Sequence, residues 1–266
     1  MKQNKAPRGK YDPRRKSERG GKPGYGDKIG VQAKKATPRV GELPLPKGEI
    51  KPRVNLKPGA LTAPLPPVIV SVGDGEISNI ITIGWTGILA THPPKTYISV
   101  RPERYSYGII KRTGEFVINL TTVEMARAVD YAGIYTGAKV DKLEKTGLTL
   151  TESSAVSAPT IAQSPLTLEC RVCEVKSMGT HDVFVADIVG ASASPDMLDG
   201  EGRLRYDKAD LLAYAHGEYY ALGQKLGAFG FSTYKGHKGG RSPRSVSKKR
   251  DGSSGDKEKS IKEEAK

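Results

Sequence analysis

The stretch 78–94, SNIITIGWTGILATHPP, decides how this chain is read. It carries Trp85, the single tryptophan of 266 residues, among β-branched aliphatics, threonines and two glycines. A strand that only filled a core would not combine Asn79, Thr82 and Thr86 with Gly84 and Gly87. Read as one strand, 79, 83 and 85 share one face and 80, 82 and 84 the other. Asn79 and Trp85 are then expected to line one pocket. Thr82 joins them only through its backbone, or after a bulge at Gly84.

Working outward, PPVIVSVG (66–73) reads as the preceding strand, and Asp74-Gly75 as a two-residue hairpin turn. TYISVRP (96–102) is a further strand. RYSYGIIKRTG (104–114) reads as a short helix ended by Gly114, and EFVINL (115–120) as another strand. Thr121 with Glu124 predicts a capping box for a helix through VEMARAVDYAG. Two long strands follow, PLTLECRVCEVKSM and DVFVADIVGASAS, joined by GTHD. Many strands with helices as excursions, rather than regular βα alternation, predict a mainly β fold, a barrel with α additions.

Composition separates this middle from its ends. Only 36% of residues are hydrophobic. Residues 1–57 carry 17 Lys and Arg against 5 Asp and Glu, and 233–266 carry 11 against 5. The segment 58–232 carries 15 against 19, so the formal charge of +14 belongs to the ends. The basic, Gly/Pro-rich ends are expected to be disordered. The folded domain is expected at 58–232. No apolar h-region follows the basic N-terminus, and no apolar run approaches the roughly 20 residues a bilayer requires, so a cytoplasmic protein without membrane contact is expected.

Familiar catalytic spacings are absent: there is no GxSxG, HExxH, Walker loop or GxGxxG. Cys170 and Cys173 form one CxxC on a strand, where residues three apart face opposite ways. They are expected to be structural thiols, with no metal site. What recurs is a set of hydroxyls, amides and cations at element ends: Asn79, Thr82, Thr86, Arg101, Arg104, Ser106, Thr136 and Lys142. Ser106 falls in a helix first turn, where free N–H groups favour a phosphate. Arg101 and Arg104 just before it can add charge-assisted bonds.

The run PPVIVSVGDGEISNIITIGWTGILATHPPKTYISVRPERYSYGIIKRTGEFVINL, continued by AGIYTGAKVDKLEKTGLTL, SPLTLECRVCEV and GTHDVFVADIV, resembles the flavin reductase-like family with the FMN-binding split barrel, in particular its flavoredoxin branch. The resemblance spans about 60–230. It implies an FMN-binding split β-barrel, non-covalent FMN near the interface of a homodimer, and flavin-mediated electron or hydride transfer. NADH or NADPH would serve as transient reductant, or a redox protein as partner. On this resemblance Asn79, Thr82 and Trp85 line the flavin, and Ser106 with Arg101 and Arg104 holds its phosphate. Thr136 belongs to the same anion-facing set, and Lys142 reaches the cofactor. His181 stands at the isoalloxazine edge as the catalytic residue, and Tyr214 packs on the ring with Tyr219, Tyr220 and Phe231 as competitors. The other reading is a nucleic-acid-associated protein that binds through its basic tails, with the barrel as scaffold.

Overall fold

The computed structural model describes residues 48–233. The chain divides into two units. One is Glu49–Phe229, which carries every strand among the described residues. Of the other, Met1–Gly48 with Gly230–Lys266, only Gly48 and 230–233 are described, ending in a 3-10 turn at Phe231–Thr233. Residues 49–57 run exposed, without strand or helix. The remainder of the two basic tails lies outside the described residues.

The chain begins with strands β1 (Val68–Gly73), β2 (Ser78–Ile83), β3 (Thr86–Thr91) and β4 (Pro94–Val100). Helix α1 (Tyr105–Thr113) and strand β5 (Glu115–Asn119) follow, then helices α2 (Ala126–Ile134) and α3 (Lys142–Thr146). A short pair, β6 (Leu150–Thr151) and β7 (Thr160–Ile161), precedes the long strands β8 (Leu166–Ser177) and β9 (Asp182–Ala193). The hairpin β10 (Leu212–Ala215) and β11 (Glu218–Ala221) comes last.

Seven strands form one sheet in the order β2-β1-β5-β8-β9-β4-β3, with every pairing antiparallel. The two outermost strands, β2 and β3, are consecutive in the chain and joined only by Gly84 and Trp85. Laid flat, six strand spacings would separate them by about 29 Å. A two-residue link spans only about 10 Å, so the sheet must curl. It does so without closing: β2 and β3 do not pair, and the rim is drawn together where Ser99 N–H of β4 donates to the Trp85 carbonyl at 3.0 Å. The result is a split barrel.

The stretch read as one strand is thus two, on opposite edges of the sheet. Its glycine and tryptophan are the break, not a bulge within a continuous strand. The turn before it also differs, since four residues, Asp74–Ile77, separate the Gly73–Ser78 pair. The Asp74 carboxylate accepts from the N–H groups of Glu76 and Ile77, which stabilises this wider turn.

Alternation along the strands sets two cores. Val68, Val70, Ile81, Ile83, Ile98, Phe116, Ile118, Cys170 and Phe184 belong to one cluster, with Ile109 and Ile110 of α1. Six strands meeting in one cluster require a concave inner face. On the outer face Ile69 and Ile80 pack against Val129 and Ala132 of α2. β1 is therefore buried on both sides and reads as an almost continuous apolar run.

Helix α1 ends at Gly114, whose φ of 68° is the left-handed conformation that ends helices. The capping box does not form. The Thr121 hydroxyl instead donates to the Pro67 carbonyl at 2.5 Å, and α2 starts later, without a side-chain cap. A buried amide ties the layers together: Asn119 Nδ2 donates to Ile69 O at 3.0 Å and Ser71 Oγ at 2.9 Å. Its Oδ1 accepts from Ile161 N–H at 2.8 Å. Cys170 is buried and free, while Cys173 is exposed and free. Burial pushes the Cys170 thiol up to about 12.

Candidate functional site

The ends of β2 and β4, the start of α1, the C-terminal half of α2 and the β10–β11 hairpin enclose two adjoining clefts. The wider holds about 660 Å³ and the narrower about 120 Å³. Ile81, Glu103 and Arg104 line both, so the two form one bent groove.

The wide cleft is flanked by aromatic rings. Trp85 follows the end of β2, and His181 from the β8–β9 turn meets it with ring centroids 4.5 Å apart. The His181 Nδ1 shares a hydrogen bond of 2.9 Å with the Thr180 hydroxyl. Burial first, and then the Arg101 guanidinium, holds the imidazole below its ordinary value against the opposing pull of Glu103. Arg101 and Glu103 form an ion pair of 3.0 Å in the same cleft. Across it stand Tyr214 and Tyr219, with centroids 5.3 Å apart. Burial and the neighbouring Asp130 carboxylate push the Tyr219 phenol up to about 12. Thr82 lines this cleft although it lies on the opposite strand face from Asn79. Its hydroxyl donates to Val129 O of α2 at 2.5 Å, next to Gly133.

The narrow cleft gathers hydrogen-bond donors. Lys142 opens α3, held there by its N-cap Asp141, whose carboxylate accepts from Leu143 and Glu144 N–H. The Lys142 ammonium is buried and donates to Ile80 O and Ala132 O, both at 2.8 Å. An ammonium has three protons, so one remains. Burial, reinforced by Arg104, pushes Lys142 down to about 8. Arg104 donates to the Gly133 carbonyl and keeps further N–H groups. Ser106 is 1% exposed in the first turn of α1, and Asn79 Nδ2 donates to its hydroxyl at 2.8 Å. In that turn the Tyr105 and Ser106 N–H groups have no helical partner, whereas Tyr107 N–H donates to the Arg104 carbonyl at 2.9 Å, and no acidic side chain occupies the turn. Thr136 lines the cleft from the loop after α2.

The fold thus brings Thr82, Trp85, Arg101, His181 and Tyr214 to the wide cleft, Asn79, Ser106, Thr136 and Lys142 to the narrow one, and Arg104 to both. Asn79 and Trp85, expected in one pocket, occupy different clefts because the strand breaks between them. Thr86 does not join: it is buried on β3 with its hydroxyl donating to Tyr97 O at 2.5 Å. Of the late aromatics, Tyr219 lines the wide cleft beside Tyr214, whereas Tyr220 is exposed outside it and Phe231 belongs to the other unit. Sequence reasoning missed Glu103, Asp130, Gly133 and Gly137. The two glycines of AGIYTGAK were the available signal, since each admits close approach. A Cβ on Gly137 would lie 2.2 Å from Asn79 Oδ1, and one on Gly133 would lie 3.3 Å from Thr82 Cβ.

The open antiparallel barrel thus carries, at its split, an aromatic-flanked cleft that runs into a cationic one. Residues 61–223 match the model of the flavin reductase like domain, and the chain belongs to that family. An uncharacterised protein of Archaeoglobus fulgidus is 35% identical over 131 residues, 49% of this chain and 74% of that protein. The structure is similar to flavoredoxin of Desulfovibrio vulgaris (Miyazaki F), with a TM-score of 0.63 and 29% identity over 66% of this chain and 96% of that one. It is also similar to an FMN-binding domain of a flavin reductases-like enzyme from Shewanella baltica OS155. There the TM-score is 0.54 and the identity 26%, over 61% of this chain and 88% of that one. Family membership puts the chain among flavin-linked redox proteins. Among the described residues no helix is long and apolar enough to cross a membrane.

Proposed function

We propose that this chain binds FMN without a covalent link and passes hydride or electrons through it, as a flavin reductase or a flavoredoxin-like carrier. One observation carries the reading. A cleft of about 660 Å³ flanked by Trp85, His181, Tyr214 and Tyr219 opens directly into a small one whose side chains are mostly donors. A flat apolar ring joined by a chain to a phosphate asks for that sequence of surfaces.

The residues fit the group. Lys142 retains one ammonium proton, Arg104 retains guanidinium N–H groups, and Ser106 retains its hydroxyl proton, all facing the narrow cleft. These would hold the phosphate, with Thr136 beside them. In the wide cleft Thr82, Gly84 and Trp85 present backbone and small side chains to ring heteroatoms, and Tyr214 presents an aromatic face. When bound, the flavin supplies the hydride and one-electron chemistry.

His181 is the catalytic residue of this reading. Burial and Arg101, against Glu103, lower its pKa and so favour the neutral imidazole, which offers a hydrogen bond beside Trp85. The Arg101–Glu103 pair at the same side keeps a charged, hydrated entrance where a nicotinamide donor or a redox protein approaches. A homodimer is part of the proposal. It is supported by edge strand β3, which pairs only with β4 and leaves Ile88 and Leu89 exposed.

The test is direct. Full-length protein is loaded with FMN, freed of excess flavin, and mixed anaerobically with NADH or NADPH while flavin absorbance is followed. Bleaching by either nucleotide identifies a reductase. Bleaching only through a reduced redox protein identifies a carrier. A chain that retains no FMN sinks both.

A further inference from the structure

We propose that Asn79 is a positioning residue for a phosphomonoester. It holds the Ser106 hydroxyl as an obligatory donor into the narrow cleft. The inference rests on the flavin reading above and deepens it by assigning how the phosphate is selected.

A serine hydroxyl has one proton to give and lone pairs to receive. Asn79 Nδ2 donates to the Ser106 oxygen at 2.8 Å, so that side of the hydroxyl is already satisfied. Ser106 is 1% exposed, and no acceptor takes its proton among the described residues. The proton is therefore free for whatever enters the cleft. Its surroundings point the same way. Lys142, Arg104 and the N–H groups of Tyr105 and Ser106 at the start of α1 all donate. The lining carboxylate, Glu103, is drawn to Arg101 at 3.0 Å. Thr136 Oγ1 already accepts from Ala138 N–H. A pocket of donors with almost no free acceptor suits an oxygen-rich anion that carries few protons of its own.

The amide of Asn79 is held at its other end as well. It is 5% exposed, and its Oδ1 lies against the Cα of Gly137, where a Cβ would come within 2.2 Å. Turning the amide over would set its NH2 protons against the Gly137 Cα hydrogen that now faces Oδ1, so the orientation with Nδ2 on Ser106 is the favoured one; Asn79 sets the direction of the bond and Ser106 follows. With the direction reversed, Ser106 would give its proton to residue 79 and show only lone pairs to the cleft. Asn79→Asp produces that reversal, because a carboxylate only accepts. Asn79 thus acts on the phosphate through Ser106, rather than on the flavin ring.

The full chain and its variants are titrated with FMN and with riboflavin, which lacks the phosphate. Asn79→Ala is expected to lower FMN affinity about three- to tenfold, since an ordinary hydrogen bond is lost. Asn79→Asp should lower it more than about tenfold, and riboflavin affinity should stay within a factor of about two for both. The Asn79→Ala/Ser106→Ala double variant should bind FMN no more weakly than Ser106→Ala alone, because one residue acts through the other. Equal losses for FMN and riboflavin, or losses that multiply in the double variant, overturn the inference while leaving the flavin reading intact. A wild-type chain that binds neither flavin overturns the flavin reading instead, and the inference falls with it. If Asn79→Ala does not fold, Asn79→Ser, which is shorter and still polar, enters the same cycle under the same criteria.

Discussion

Trp85 and His181 meet with ring centroids 4.5 Å apart and planes tilted by 44°. One comes from the two-residue link that splits the barrel, the other from the turn between its two longest strands. The β9-β4-β3 order brings them together, since both lie beside the C-terminal end of β4. The contact fixes His181 over the wide cleft without placing it among the phosphate-facing donors. His181→Ala is therefore expected to slow flavin reduction about tenfold or more, with FMN affinity changed much less. Stopped-flow reduction compared with equilibrium titration checks this, and the opposite pattern would remove His181 from the reacting edge.

On the proposed flavin reading, Lys142 should make FMN binding depend on pH. Its ammonium is held at about 8, below the ordinary 10.5, chiefly by burial. Below that value the cation is present and attracts the phosphate. As pH rises through about 8 the free protein loses the charge, so FMN affinity should fall, and binding above that pH should take up a proton. Riboflavin should show no such trend. In titrations between neutral pH and about 9.5, Lys142→Met should abolish the slope for FMN. It should also weaken FMN binding roughly ten- to a hundredfold, as expected for a lost charge-assisted bond.

Gly137 is required by contact, not by conformation. A Cβ there would collide with Asn79 Oδ1 at 2.2 Å, and that amide is buried and bonded to Ser106. Gly137→Ala should displace the loop after α2, lower stability by about 1–3 kcal/mol and weaken FMN binding. Gly75→Ala meets nothing within 4 Å but sits at φ +91°, so it should strain only its turn and lower stability without touching FMN affinity. Titration and denaturant unfolding of both variants separate the two effects.

Asn119 stabilises the sheet by joining β1, β5 and β7. Removing its side chain leaves Ile161 N–H buried without its partner and strips the donors from Ile69 O and Ser71 Oγ. Asn119→Ala is expected to cost about 2–4 kcal/mol in urea unfolding. A loss under about 1 kcal/mol would mean that water replaces these bonds.

The cysteines should differ in reactivity. Cys173 is exposed, whereas burial pushes the Cys170 thiol up to about 12. Native protein should react with a thiol reagent at one site, identified by mass spectrometry as Cys173, and at both only after unfolding.

Local chemistry settled much of this in the sequence. The strand periods, the Gly114 helix end and the donors clustered at element ends are short-range patterns, legible because neighbours along the chain decide them. The family motifs carried by 66–120 are of the same kind. Other features depended on what the chain meets in space. Thr121 resembles a helix cap, yet its hydroxyl reaches the Pro67 carbonyl because folding brings that carbonyl closer than the helix end. Thr86 belongs by type with the anion-facing residues, but its hydroxyl is buried against the Tyr97 carbonyl of the neighbouring strand. Gly133 and Gly137 carry no signal beyond their small size until Thr82 and Asn79 are set against them. The opening segment shows both sides. Its polarity and its glycines were plain in the sequence, and they marked it as more than core. That Gly84 and Trp85 break it, sending one half to each edge of a sheet that must curl to keep them joined, follows only from strand order. Strand order is set by long-range pairing, and no local pattern encodes it.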